Sequence, residues 1–383
     1  MRCIFFKVLN VLFFSSLFLG FVSCDGDDNS EKNGGNGGGV GGDTTEVVDY
    51  SKHDIYVSLY YKDLDKENGN YVAAYWHKDS IKVLSDPEYD AYAYSVFVDG
   101  DDVYVGGVSN NAAVYWKNGE EIPLPQGTAV SSIYVRNGRV YACGHYGSLL
   151  GDIPMCWVDG SPIELSGGKR ANSIFVDEDD NIYVAGFGLT QDYEDIIYYW
   201  QGKESNISKN AFMIGGTKVN NKNNPTSANG ISATSDGSSF IVCGVETDNS
   251  ARKFIAKQWI NRRGHSLTLG ENGTEARAAF VENEVFYVAG KEARKACYWK
   301  STLKEDKMTV KDAVINPLSD GKVDTHASSI FVKDGVVYVV GYEAGDVKNK
   351  PLLWREKQKI NFINSDAMNL DITTSGIFVT QEK

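Results

Sequence analysis

The chain has 383 residues, enough for one large or two ordinary domains, with a formal net charge of −13 and an isoelectric point near 4.9. That acidity argues against nucleic acid and other polyanions as partners. Its 22 Tyr and 39 Gly against only 8 Pro suit β-structure with many tight turns.

Arg2 and Lys7 give the chain a positive start, residues 8–22 form an apolar run, and Ser23 precedes Cys24. A charged start, a short apolar stretch and a small residue before the cut make a secretory signal. The run is shorter than the roughly 20 residues a spanning helix needs. With Cys directly after Ser23, the segment resembles a bacterial lipoprotein signal, Phe21 replacing the usual Leu. The resemblance implies that residues 1–23 are removed and that Cys24 is lipidated, holding the protein to the outer membrane. Residues 24–46 are rich in Gly, Asn and acids, cannot bury apolar surface, and read as a flexible tether. Asp25, Asp27 and Asp28 resemble the acidic export signal of surface lipoproteins in Gram-negative gut bacteria, which implies display on the outer leaflet.

From residue 47 onward a unit recurs. All seven Trp end the same kind of apolar run: AAYW at Trp76, AVYW at Trp116, PMCW at Trp157, IYYW at Trp200, AKQW at Trp259, ACYW at Trp299 and PLLW at Trp354. Upstream of each lies a second run, IYVSL, VYVGG, VYACG, IYVAG, FIVCG, FYVAG and VYVVG. A third run, of the SIFV type, precedes the second in six units. The copy missing from the first unit stands at the far end of the chain, as SGIFVT over residues 375–380. A short fourth run follows each Trp.

Four short strands per unit, repeating about every 40–45 residues, mark a β-propeller. The expected fold is all-β: a seven-bladed β-propeller of four-stranded antiparallel blades over residues 47–383, monomeric. Its ring is closed by residues 375–380 pairing with residues 54–61. Runs such as VYVGG are apolar at consecutive positions and need burial on both faces, which neighbouring blades supply. Each Trp is then a plate between blades, and the Gly ending the second run permits close backbone packing. The tandem SIFV…YVAG…YWKNG pattern, over residues 54–380, resembles that of uncharacterised surface lipoproteins of Gram-negative gut bacteria. The resemblance implies the propeller fold and no activity.

In such a fold one face carries short turns and the other long, irregular loops. The irregular loops supply Tyr89, Tyr92, Tyr146, Phe187, Tyr193 and Tyr342, with Asp192 and His326 nearby. Flat rings beside carboxylates suit sugar rings, and rigid strands carrying variable loops are where function usually sits. These eight residues are the candidate ligand-binding set; bracing of the loops is the structural alternative. The five His, at 53, 77, 145, 265 and 326, fall at different places in their repeats and suggest no catalytic triad. No phosphate loop, metal-ligand spacing or cofactor motif occurs, so neither metal nor cofactor is expected. The expected function is a binding or interaction module for a glycan or a protein. The alternatives are a polysaccharide hydrolase or lyase with its site in the central funnel, and a passive scaffold. Cys143 and Cys156 fall on neighbouring strands and could pair, or could serve as buried apolar thiols, as Cys243 and Cys297 would.

Overall fold

A computed structural model describes residues 53–382, apart from 68, 149–150, 192, 220–221, 249–252, 269–272, 305–309 and 312. The expectations for the signal, Cys24 and the tether lie outside the described residues. The repeat folds as a seven-bladed β-propeller, each blade a four-stranded antiparallel sheet. The inner strands of blades two to seven are Ala91–Asp99, Ala129–Arg136, Arg170–Val176, Thr226–Ala233, Glu275–Glu282 and Thr325–Lys333. The first blade takes its inner strand, Leu370–Gln381, from the end of the chain and lays it against His53–Asp63. The pairing runs from His53 opposite Gln381 to Asp63 opposite Leu370, a longer seam than residues 375–380 alone would make.

Six of the seven Trp are completely buried and Trp76 nearly so. Each lies on the third strand of its blade and packs in an apolar cluster shared with the preceding blade. Trp116 packs with Ala73 and Leu84, Trp200 with Cys143 and Val158, and Trp354 with Tyr287 and Ala289. Two indoles also tie blade to blade, Trp157 Nε1–H donating to the Pro125 carbonyl and Trp200 Nε1–H to that of Ser166, both at 2.8 Å. The core is therefore a series of interblade seams, which is why strands apolar on both faces recur.

Every inner strand carries a bulge at the same place. The register slips at Tyr94, Ser131, Asn172, Asn229, Arg277, Ser328 and Ser375, one residue per blade. A bulge leaves one residue unpaired and re-aims it. All seven of these residues line a central cavity of about 150 Å³. The bulge also explains the repeated Gly. The inner-strand carbonyl two residues before the bulge swings onto the second strand, so a Cβ on Gly186 would lie 1.8 Å from the Arg170 oxygen. Gly107, Gly144, Gly244, Gly290 and Gly341 meet the same approach. Leu59, in the closing blade, faces Thr374 and is the one exception.

Polar side chains at the bulge join neighbours around the ring. Asn172 donates to the Ala228 carbonyl, Asn229 to that of Ala276 and Ser375 to that of Ala93, each at 2.7 Å. Antiparallel alternation puts the first-to-second turns on one face and the blade-to-blade connections on the other. The described chain enters on the short-turn face, where His53 bonds to Tyr338 Oη at 2.7 Å and lies 3.3 Å from Asp334.

Candidate functional site: the loop-face funnel

The residue just before the swung carbonyl's peptide partner, two positions ahead of each bulge, rims the channel on the loop face. In chain order these are Tyr92, Ala129, Arg170, Ser227, Glu275, His326 and Thr373. With the ends of the second strands they build three walls of different chemistry.

The wall of blades one and two is tyrosine. Tyr60 meets Tyr92 edge-to-face at 5.1 Å and Tyr71 at 5.7 Å, while Tyr92 and Tyr94 stack at 6.0 Å with planes 10° apart. Burial, then the Asp90 carboxylate, pushes the Tyr92 hydroxyl up to about 12. Burial also raises Tyr60, Tyr71 and Tyr94. The wall therefore offers neutral phenols and flat ring faces.

The wall of blades three and four pairs Arg170 with Asp152. His145 lies opposite Ala129, and its Nδ1 is buried without a hydrogen-bond partner. Burial and the Arg170 charge lower its imidazole to about 4. The unfolded chain takes this proton near 6.5, so the stability His145 contributes is present above that value and is lost as pH falls toward 4. A midpoint near 4 for His145 in an NMR titration, with melting temperature declining over the same interval, is the expected result. A midpoint near 6.5 would mean that the ring is solvated.

The wall of blades six and seven is ionic. Arg277 reaches one Glu275 carboxylate oxygen through Nε at 3.0 Å and Nη2 at 2.7 Å, and Lys291 lies 2.6 Å from Asp324. His326 stacks on Tyr342 at 4.8 Å with planes 9° apart, between the Arg277 and Lys291 cations. Burial lowers His326 and the two cations add to that, outweighing Asp324, so the ring is neutral. Burial alone would raise Glu275 and Asp324. The Arg277 charge and hydrogen bond hold Glu275 below its ordinary value, and bonds from His326 and Lys291 hold Asp324 at about 2.

The structure thus brings Tyr92, His326 and Tyr342 to the funnel rim. Phe187 pairs with Arg170 one strand out, half-buried, and Tyr146 follows His145 and is 43% exposed. Tyr193 is 83% exposed on an outer loop, in a left-handed backbone conformation with φ 62°. Tyr89 is half-buried in the connection between the first two blades. Asp192 lies outside the described residues. Loop reading missed Tyr60, Tyr94, Arg170, Glu275 and Arg277, which stand on strands. The signal that finds most of them is the repeat itself, at fixed steps before the SIFV run.

Beside Thr217 and Asn224, in the loop that joins Ile214 to Thr226, Glu246 and Lys257 form a buried ion pair. Thr217 and Asn224 of that loop bond to the same carboxylate at 3.0 and 3.1 Å. A cleft of about 530 Å³ opens on the short-turn face between blades three and four. Its Arg139 is already held by Asp159 and Glu204. Among the described residues no group of His, Cys, Asp or Glu is arranged to hold a metal ion.

No family model matches the chain, and no curated sequence is similar to it. Solved structures align with it loosely. An endo-arabinase from Bacteroides thetaiotaomicron aligns at 13% identity over 63% of this chain and 95% of that one, with a TM-score of 0.33. A GH43_1 enzyme from Xanthomonas citri aligns at 10% identity over 72% and 92%, with a TM-score of 0.36. Kuenenia stuttgartiensis hydrazine synthase aligns at 10% identity over 87% of this chain and 47% of that one, with a TM-score of 0.46. Alignments this loose transfer no activity to the chain.

Proposed function

We propose that the protein is a lipid-anchored binding module, displayed at the cell surface, that takes a glycan in the loop-face funnel. The observation that carries the reading is the meeting of unlike walls at the closing seam, tyrosine rings on blades one and two beside paired ions on blades six and seven. Rings offer a flat apolar contact to a sugar face, and fixed ionic groups offer hydrogen bonds to its hydroxyl edges. The anchor rests on Cys24 and the segment before it. A glycosidase needs one carboxyl held protonated as general acid. Glu275 and Asp324 are held ionised instead. Asp195, which burial raises, stands on a third strand, two strands out from the axis. Binding is therefore favoured over hydrolysis.

A glycan array screened with the purified protein, followed by titration calorimetry, tests this. Replacing Tyr92 or Tyr342 with Ala should raise Kd roughly two- to tenfold each, the value of a lost ring contact. Affinity unchanged in both variants would put the site elsewhere. Release of reducing ends from a bound glycan would make the protein an enzyme.

A further inference from the structure

Cys143 and Cys156 stand directly opposite each other on the second and third strands of blade three. The Asp159 N–H donates to the Val140 carbonyl at 2.8 Å, which makes 140 and 159 a hydrogen-bonded pair. Antiparallel ladders alternate, so three places along, 143 and 156 form a non-hydrogen-bonded pair. Cα atoms in such a pair lie about 4.5 Å apart, inside the roughly 4.4–6.8 Å that disulfides span. Both side chains point to the same face and are fully buried in one cluster against Trp200 of blade four. Cys243 faces Gln258 and Cys297 faces Gly290, so neither has a thiol across its ladder.

We propose that Cys143 and Cys156, both free in this structure, are a disulfide-forming site that staples the hairpin bearing His145, Tyr146 and Asp152. The oxidant is a protein disulfide or glutathione disulfide. One Cys thiolate attacks it, forming a mixed disulfide and releasing a thiol. The second Cys thiolate then attacks the first Cys sulfur, closing the bond and releasing the other thiol. Two electrons and two protons leave with the reduced donor. Burial raises the Cys143 thiol and pushes Cys156 up to about 12, so the folded protein holds little thiolate. Exchange belongs to folding, before blade four covers the pair. Its occurrence in the cell rests on the export reading, because exported chains meet such donors. Its chemistry does not, and neither depends on the ligand.

The test unfolds the purified protein, refolds it with glutathione disulfide, alkylates it and maps the peptides by mass spectrometry. Expected are joined peptides containing Cys143 and Cys156, lighter by two hydrogens, with Cys243 and Cys297 alkylated after denaturation. The oxidised form should melt about 5 °C above the reduced one, a difference that Cys156→Ala abolishes. Four alkylated thiols, or a bond that includes Cys243 or Cys297, would overturn the proposal. Should Cys156→Ala fail to fold, the peptide map of the unaltered chain decides alone.

Discussion

Deleting residues 375–383 should lower the melting temperature by roughly 6–12 °C and make the protein associate. The deletion removes Ile377 and Val379, 5% and 2% exposed, from the seam between blades seven and one. Each buried side chain of this kind contributes roughly 1.5–3 kcal/mol, and a domain this large loses about 2 °C per kcal/mol. Phe378 goes as well, a ring that touches Phe97 of blade two at 4.5 Å and Phe331 of blade seven at 4.7 Å. The Ser375 bond to Ala93, which links blade one to blade two, is also lost. Residues 53–58 lose their inner-strand partners and become an edge with unpaired backbone groups, open to another chain. Removing only Glu382 and Lys383, beyond the last pair at Gln381, is the control and should change neither property. Thermal melts with light scattering read both. A monomeric deletion protein with an unchanged melting temperature would mean that the seam does not hold the ring.

Lys257→Met should cost about 3–5 kcal/mol, because it leaves the Glu246 carboxylate buried and uncompensated. The pH dependence should also change sign. In the native protein burial alone would raise Glu246, but the bonds from Lys257, Asn224 and Thr217 outweigh it and hold the group below its ordinary value. A depressed carboxyl adds stability that is present above the unfolded pKa and lost as pH falls through the folded one. Without Lys257 burial dominates and raises the carboxyl, so the variant should lose stability as pH rises toward neutral. Melts of both proteins at acid and neutral pH compare the slopes. Parallel slopes would mean that Lys257 does not neutralise Glu246.

Radial position explains what the sequence makes legible and what it does not. Seven Trp, seven VYVGG-type runs and a displaced SIFV copy carry the blade count and the closure, because each element is periodic and its burial demand is local. The bulge is not periodic in composition. Its occupants are Tyr, Ser, Asn, Asn, Arg, Ser and Ser, and only the register shows that Tyr94 and Arg277 share one level of the channel. Loop length and aromatic content pointed equally to Tyr92 and Tyr193. One sits two residues from an inner-strand bulge and the other on an outer loop, 83% exposed. The Glu246–Lys257 pair was hidden for a further reason. Its residues are diagonal neighbours on second and third strands, and the bonds that complete the carboxylate come from Thr217 and Asn224, far from either in the repeat.

His53 and Gln381 are direct neighbours on the short-turn face. A few residues joining 381 to 53 would turn the closing seam into a first-to-second hairpin like those of the other six blades. The chain could then be opened at another such turn, for instance at Gly100, without cutting a strand. The protein is in this sense a circle with a movable origin. Both ends of the closing seam, at His53 and Gln381, lie on the short-turn face, and the loop face is built only of connections within the ring.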